Sequence, residues 1–269
     1  MERILAVLDD PMAAGPVLKA AGSLAARLPA TLAVLAPLPA RDPDFMPSEE
    51  VMTSARAAAF AAEIATRRER LRAAFAAWQA HGPAGVTLDA LTGDTATLLC
   101  AAARDADLLV LGAPAAGVSA HALLREALFE AKAAVVLVPR GAAPAIGQHV
   151  AIAWEKTHAV AAAIAAAGPI LARAEHVTVI IGHEGAGTGP SLPPGLEASL
   201  AAAGATLRVV TFDLNGRAIG AALAEEATRL GADLLVMGAY THPMFLEQLF
   251  GGATQTLIGA GTLTLLLHH

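Results

Sequence analysis

The sequence predicts an α/β protein of two tandem open-sheet domains, each with a mostly parallel five-stranded sheet flanked by helices. Three observations predict it. Ala106-Asp107-Leu108-Leu109-Val110-Leu111-Gly112-Ala113 returns 126 residues later as Ala232-Asp233-Leu234-Leu235-Val236-Met237-Gly238-Ala239. Each copy is a short apolar run closed by a glycine and preceded by a helical stretch, the pattern of a buried parallel strand after a crossover helix. Ile4-Leu5-Ala6-Val7-Leu8-Asp9 likewise matches Val150-Ala151-Ile152-Ala153-Trp154-Glu155 in type, both ending in a carboxylate just before a helix. Finally, strand and helix patterns alternate along the chain, which calls for parallel sheets with right-handed crossovers. The two offsets, 126 and 146, leave the first half 20 residues longer between its anchors. A period this long means domain duplication, because solenoid repeats run about 20–50 residues.

The elements follow in order. The first half places strands near 3–8, 31–36, 86–91, 107–112 and 134–138, and helices near 13–28, 48–80, 95–105 and 119–131. The helix over 48–80 carries the extra length, and its run of Arg67, Arg68, Arg70 and Arg72 reads as a solvated face. Cys100 sits on the apolar face of the 95–105 helix and reads as a core residue. A small, Pro- and Gly-rich linker over 141–147 separates a domain of residues 1–140 from one of 147–269. The second half places strands near 149–154, 176–182, 206–211, 233–238 and 262–267, and helices near 158–174, 194–203, 216–230 and 244–258.

Composition removes several function classes. Net charge is −6, divided as −2 over 1–140 and −4 over 141–269, so neither half is a basic module for nucleic acid or an anionic membrane. None of the three lysines follows a glycine in Walker spacing, so a P-loop is excluded. One cysteine allows neither an internal disulfide nor a cysteine-based zinc site. The apolar stretch over 159–172 reads as broken by Gly168-Pro169 and is too short to span a membrane. The start, Met1-Glu2-Arg3-Ile4-Leu5, lacks the marks of a signal peptide. A soluble cytoplasmic protein is the expectation. The nine histidines show no metal spacing along the chain, and no metal site is expected. Gly185–Pro190 and His183-Glu184 read as plain loop, and no G-x-S-x-G elbow occurs.

Ligands of open α/β sheets bind outside the carboxyl ends of the strands, so the loops after each half's first and fourth strands hold the candidates. In the second half Gly238-Ala239-Tyr240-Thr241 is followed, after nine residues, by Gly251-Gly252-Ala253-Thr254. Glycines admit close backbone approach, and a helix N-terminus offers free amides to phosphate. With this spacing after an Ala-Asp-Leu-Leu-Val strand, the chain resembles a tandem universal stress protein over nearly its whole length, with an adenine nucleotide alpha hydrolase-like fold implied. The family's nucleotide-binding members carry Gly-x-x-Gly, nine residues, then Gly-[Ser/Thr], together with an aspartate ending the first strand. Gly238 and Gly251 match that pattern. Thr241 replaces the second glycine, Gly252 replaces the hydroxyl residue, Thr254 lies two positions beyond, and Glu155 stands for the aspartate. His242 falls inside the loop. In the first half only Asp9 and Gly112 survive; Arg125 and Glu126 stand at the second glycine pair, so that site is degenerate. Asp9 and Asp10 also suit a capping role ahead of the first helix.

The resemblance implies ATP or AMP in the second half, with Mg²⁺ only in company with ATP. It also implies pairing through the last strands, for which Val135-Val136-Leu137-Val138-Pro139 and Leu263-Thr264-Leu265-Leu266-Leu267 are the edge candidates. That pairing would make an intramolecular pseudo-dimer of the two domains, with a homodimer or another protein partner left open. Two functions compete: a non-enzymatic nucleotide-binding regulatory module in stress response, and a nucleotide-free scaffold acting through protein contacts. A weak ATPase is a third reading. It has no visible general base near the loop, Asp213 being the nearest free carboxylate.

Overall fold

Both halves begin on an apolar strand whose final peptide hydrogen-bonds its neighbour at equivalent positions. In the first half Leu8 N donates to Leu35 O at 2.8 Å; in the second Trp154 N donates to Ile180 O at 3.0 Å. The computed structural model describes residues 1–45, 52–114, 122–141, 146–185, 192, 206–239, 256–258 and 261–269. The first half runs β1 (Arg3–Val7), α1 (Pro11–Arg27), β2 (Thr31–Pro39), α2 (Ser54–Gln79), β3 (Leu88–Gly93), α3 (Thr95–Ala103), β4 (Leu108–Gly112), α4 (Ala122–Arg125) and β5 (Val135–Val138). A π-helical turn over Glu126–Glu130 continues α4. The second half runs β6 (His149–Ala153), α5 (His158–Leu171), β7 (His176–His183), β8 (Thr206–Asp213), α6 (Ile219–Arg229), β9 (Leu234–Gly238) and β10 (Leu265–His268).

The strands make one ten-stranded sheet in the order β3-β2-β1-β4-β5-β10-β9-β6-β7-β8. Within each half every pairing is parallel. The seam between halves is antiparallel, with Leu265 opposite Leu137 and Leu267 opposite Val135. The two edge candidates thus meet each other inside the chain. Six side chains of the seam are fully or almost fully buried, each contributing about 1.5–3 kcal/mol by removal from water. Because helices cover both faces, β1, β4, β5, β6 and β9 read as continuous apolar runs. Two apolar layers, one on each face, cross the seam from half to half.

Local chemistry sets the helix starts. Asp10 caps α1, its carboxylate accepting from Met12 N at 2.9 Å, with Pro11 in the first helical position. Thr53 caps α2, Asp94 caps α3 and Thr157 caps α5 by the same device. The linker enters the second half at Gly147, whose φ of +84° is open to glycine without strain.

Three sequence expectations are corrected. Gly168-Pro169 does not break the helix at 159–172: α5 runs through it to Leu171. The missing proline N–H falls in the last turn, where it removes a single hydrogen bond. β3 lies two residues later than expected, its register to β2 ending at Pro39 opposite Gly93; its half-exposed pattern carried little apolar signal. The arginine run is not wholly solvated, since Arg67 and Arg68 are half-buried. The helices expected at 194–203 and 244–258 lie outside the described residues, except for 256–258, which is helical. Among the described residues no helix is long and apolar enough to cross a membrane.

Candidate functional site

Strand order turns back on itself between β1 and β4 and again between β6 and β9, which makes two topological switch points. Register puts Leu8 level with Gly112, one step past the last paired residues, and Trp154 level with Gly238, two steps past them. Asp9 and Glu155 therefore stand at equivalent mouths, as the sequence match of the first strands implied.

The two glycines do the same packing work. A Cβ on Gly112 would lie 2.6 Å from Ala13 Cβ, and one on Gly238 would lie 2.7 Å from Val160 N. In each half the first turn of the helix after the first strand is seated directly on the end of the fourth strand. This contact accounts for the recurrence of the glycine in both copies, apart from any ligand.

The repeated aspartate is a second such device, and the sequence reading missed it. Asp107 accepts from Glu2 N at 2.5 Å and Arg3 N at 3.0 Å. Asp233 accepts from Gly147 N at 2.7 Å, Gln148 N at 2.9 Å and His149 N at 3.1 Å. Each clamps the chain entering the first strand of its half. The Glu2 and Arg3 amides hold the Asp107 carboxyl below its ordinary range. The signal was present as an identical residue in both copies, just ahead of the apolar run.

The first-half crevice is a cleft of about 550 Å³ lined by Asp9, Asp10, Glu63, Arg67, Arg70 and Arg140 among others. Here α2 covers the mouth. Arg67 Nη2 donates to the Asp9 backbone carbonyl, and Arg140 Nη2 pairs with Asp10. Arg67 Nε is buried without a partner among the described residues. Burial pushes the Asp9 carboxyl up, against the pull of its own backbone hydrogen bond and of Arg67. The two acids divide the roles foreseen for them: Asp10 caps the helix, and Asp9 faces the cleft. Arg125 and Glu126 pair with each other at 3.1 Å.

In the second half Glu155 is exposed and makes no side-chain hydrogen bond among the described residues. Thr241, His242, Gly251, Gly252 and Thr254 lie outside the described residues. Asp213 lies away from that crevice. It ends β8 at the sheet edge, separated from β6 by β7, and its carboxylate holds Asn215 N at 2.8 Å in a turn. His183 is not in a loop as expected but is the last residue of β7, its Nδ1 3.0 Å from Gly185 O. The histidines do not all stay apart, because strand pairing sets His149 opposite His176.

Residues 1–130 match the model of the universal stress protein family. The N-terminal half is a universal stress protein domain. The whole chain shares its fold with a universal stress protein from Archaeoglobus fulgidus, at 13% identity and a TM-score of 0.69, covering 99% of this chain and 95% of that one. Universal stress protein UspA from Lactobacillus plantarum matches 47% of this chain over its full length, at 13% identity and a TM-score of 0.35. A universal stress protein family member from Burkholderia pseudomallei matches 46% of this chain with 98% of its own, at 15% identity and a TM-score of 0.34. Among curated proteins none matches this chain.

Proposed function

We propose that this universal stress protein is a non-enzymatic regulatory module of the stress response that holds an adenine nucleotide, ATP or AMP, in the crevice of its C-terminal half. One contrast between the halves carries the choice. In the first half the connection from β2 to β3 contains the 26-residue α2, whose Arg67 spans the crevice to Asp9. The corresponding connection from β7 to β8, residues 184–205, is less than half as long and has no room for such a helix. Among the described residues nothing corresponds to α2 at the second crevice, and Glu155 stands exposed beside it.

The donor set agrees with this division. The Glu155 carboxylate, which makes no hydrogen bond among the described residues, offers its oxygens to the hydroxyls of a ribose, and the start of α5 reaches the crevice through its contact with Gly238. In the first half, Glu126 at the position of a phosphate contact would repel an anion, and Arg125 is a bulky side chain where backbone approach is needed. That half does not fit a nucleotide held in the family manner. Binding would stabilise the folded chain according to ligand concentration, which is how a protein without turnover can report nucleotide level.

The test is the nucleotide content of protein purified without added ligand, released by heat and resolved by ion-exchange chromatography. Near-stoichiometric ATP or AMP in the wild type, absent from a folded Gly251→Arg variant, is expected. Empty protein that also shows no thermal shift in millimolar ATP would overturn the proposal and leave the scaffold reading.

A further inference from the structure

We propose that His149, Glu175 and His176 form a binding site for one divalent cation of zinc type at the amino-terminal ends of β6 and β7. This is the opposite end of the second half's strands from the crevice. Each residue offers one ligand atom, and the three atoms lie within 4.8 Å of one another. His149 Nε2 is 3.8 Å from Glu175 Oε2. The two imidazoles meet edge to face with ring centres 4.9 Å apart.

Strand geometry explains the convergence. His149 and His176 are direct partners in a parallel pairing, so their side chains leave the same face of the sheet. In a regular strand Glu175 would point to the other face. Here Gln148 O accepts from both Glu175 N at 2.9 Å and His176 N at 3.1 Å. Two consecutive amides on one carbonyl are a bulge-like irregularity, and it brings the Glu175 carboxylate to the histidine side. The backbone under His149 is held as well. Its N–H donates to Asp233, and its carbonyl accepts from Asp233 N at 2.9 Å.

Donor chemistry selects the ion. Two imidazoles and one carboxylate suit zinc and its neighbours, whereas magnesium and calcium prefer oxygen alone. In a tetrahedral shell with bonds of about 2.1 Å, ligand atoms lie about 3.4 Å apart. Side-chain rotation closes the remaining distance, because the His149 and Glu175 side chains are 43% and 64% exposed. Neither imidazole has a hydrogen-bond partner among the described residues, so no existing bond must break. Water takes the fourth position. The bound ion clips the first two strands of the second half together where the linker enters.

Titrating the full chain with zinc chloride, by calorimetry and by thermal melting, tests the site. One zinc per chain and a raised melting temperature are expected, with no response to magnesium. His149→Ala and His176→Ala should each weaken binding at least about tenfold, since losing even an outer-shell partner costs 10–100-fold. Glu175→Gln should weaken it too. A His268→Ala/His269→Ala double variant should bind as the wild type does. Zinc binding that survives both His149→Ala and His176→Ala, or that disappears with the terminal pair, would overturn the proposal. So would an absence of binding at 100 μM zinc, a level about a hundred times a micromolar dissociation constant. All three substitutions are at surface positions, and an unchanged circular dichroism spectrum of each variant in the absence of zinc separates lost ligation from lost folding.

Discussion

Gly238→Ala adds one methyl group and is expected to destabilise the chain by about 2–4 kcal/mol. The new Cβ would lie 2.7 Å from Val160 N and 2.9 Å from Ala159 C, where ordinary carbon contacts run about 3.5–4.0 Å. Those obstacles are backbone atoms of the first turn of α5 and cannot rotate away, so the helix start must lift by several tenths of an ångström or more. Overpacking of this kind costs about 1–3 kcal/mol. Lifting the turn also strains the cap in which Thr157 Oγ1 accepts from Val160 N at 3.3 Å, a contact worth about 1 kcal/mol. Gly112→Ala meets Ala13 Cβ at 2.6 Å and is expected to cost about 1–3 kcal/mol. Gly15, inside α1, has nothing within 4 Å of its built Cβ. Gly15→Ala should therefore stabilise, by about 0.5–1 kcal/mol, through helix propensity alone. Urea unfolding reads all three. With a slope of about 3 kcal/mol per molar, the midpoint of Gly238→Ala should fall by about 1 M at constant slope. A Gly238→Ala midpoint that stays level or rises would refute the seating of α5 on β9. Lost nucleotide with an unchanged midpoint would assign Gly238 to ligand approach instead.

Two carboxylates should leave opposite marks on the pH dependence of stability. Burial raises the Asp9 carboxyl, so the folded chain binds its proton more tightly than the unfolded chain, and stability falls as pH rises from the ordinary carboxylate range to the raised value. Asp9→Asn should thus raise the melting temperature at pH 7, and the gain should vanish in melts below about pH 4. The Asp107 carboxyl is lowered by the Glu2 and Arg3 amides, so its contribution is present above the ordinary range and lost as pH falls through the depressed value. Asp107→Ala should cost about 1 kcal/mol at pH 7, a figure reduced for solvent exposure, with the gap to wild type closing below about pH 4 in urea titrations.

Every strand expected from the sequence is present, and those buried on both faces leave an apolar run that composition alone reveals. Leu108–Leu111 and Leu234–Met237 were legible for this reason. β3 was placed two residues early because its side chains alternate between half-buried and exposed, and little apolar pattern marked its ends. Helix starts were legible only where a cap preceded an apolar stretch, as Asp94 does before Thr95. What the sequence could not carry is pairing across distance. Nothing along the chain links Arg67 to Asp9, or His149 to His176, since each pair is made by the sheet. Single-helix spacing does not register two histidines brought together on adjacent strands. The Asp107 and Asp233 clamps were overlooked although both residues lay inside the repeat, because a carboxylate there reads as an ordinary end to a helix–strand turn.

The duplication separates residues that hold the fold from residues that serve a ligand. Asp107 with Asp233, and Gly112 with Gly238, make the same contacts in both halves, so one structural role accounts for each pair. Asp9 and Glu155 occupy equivalent backbone positions and meet different surroundings: one is half-buried beneath α2, the other open to solvent. The sheet is common to the halves, and the connections that follow the second strand differ in length, the first containing α2. Arg67 comes from the connection after the second strand, and Arg125 and Glu126 from the one after the fourth. α2 lines the first-half crevice through Glu63, Thr66, Arg67 and Arg70, whereas Arg125 and Glu126 are not among its lining residues.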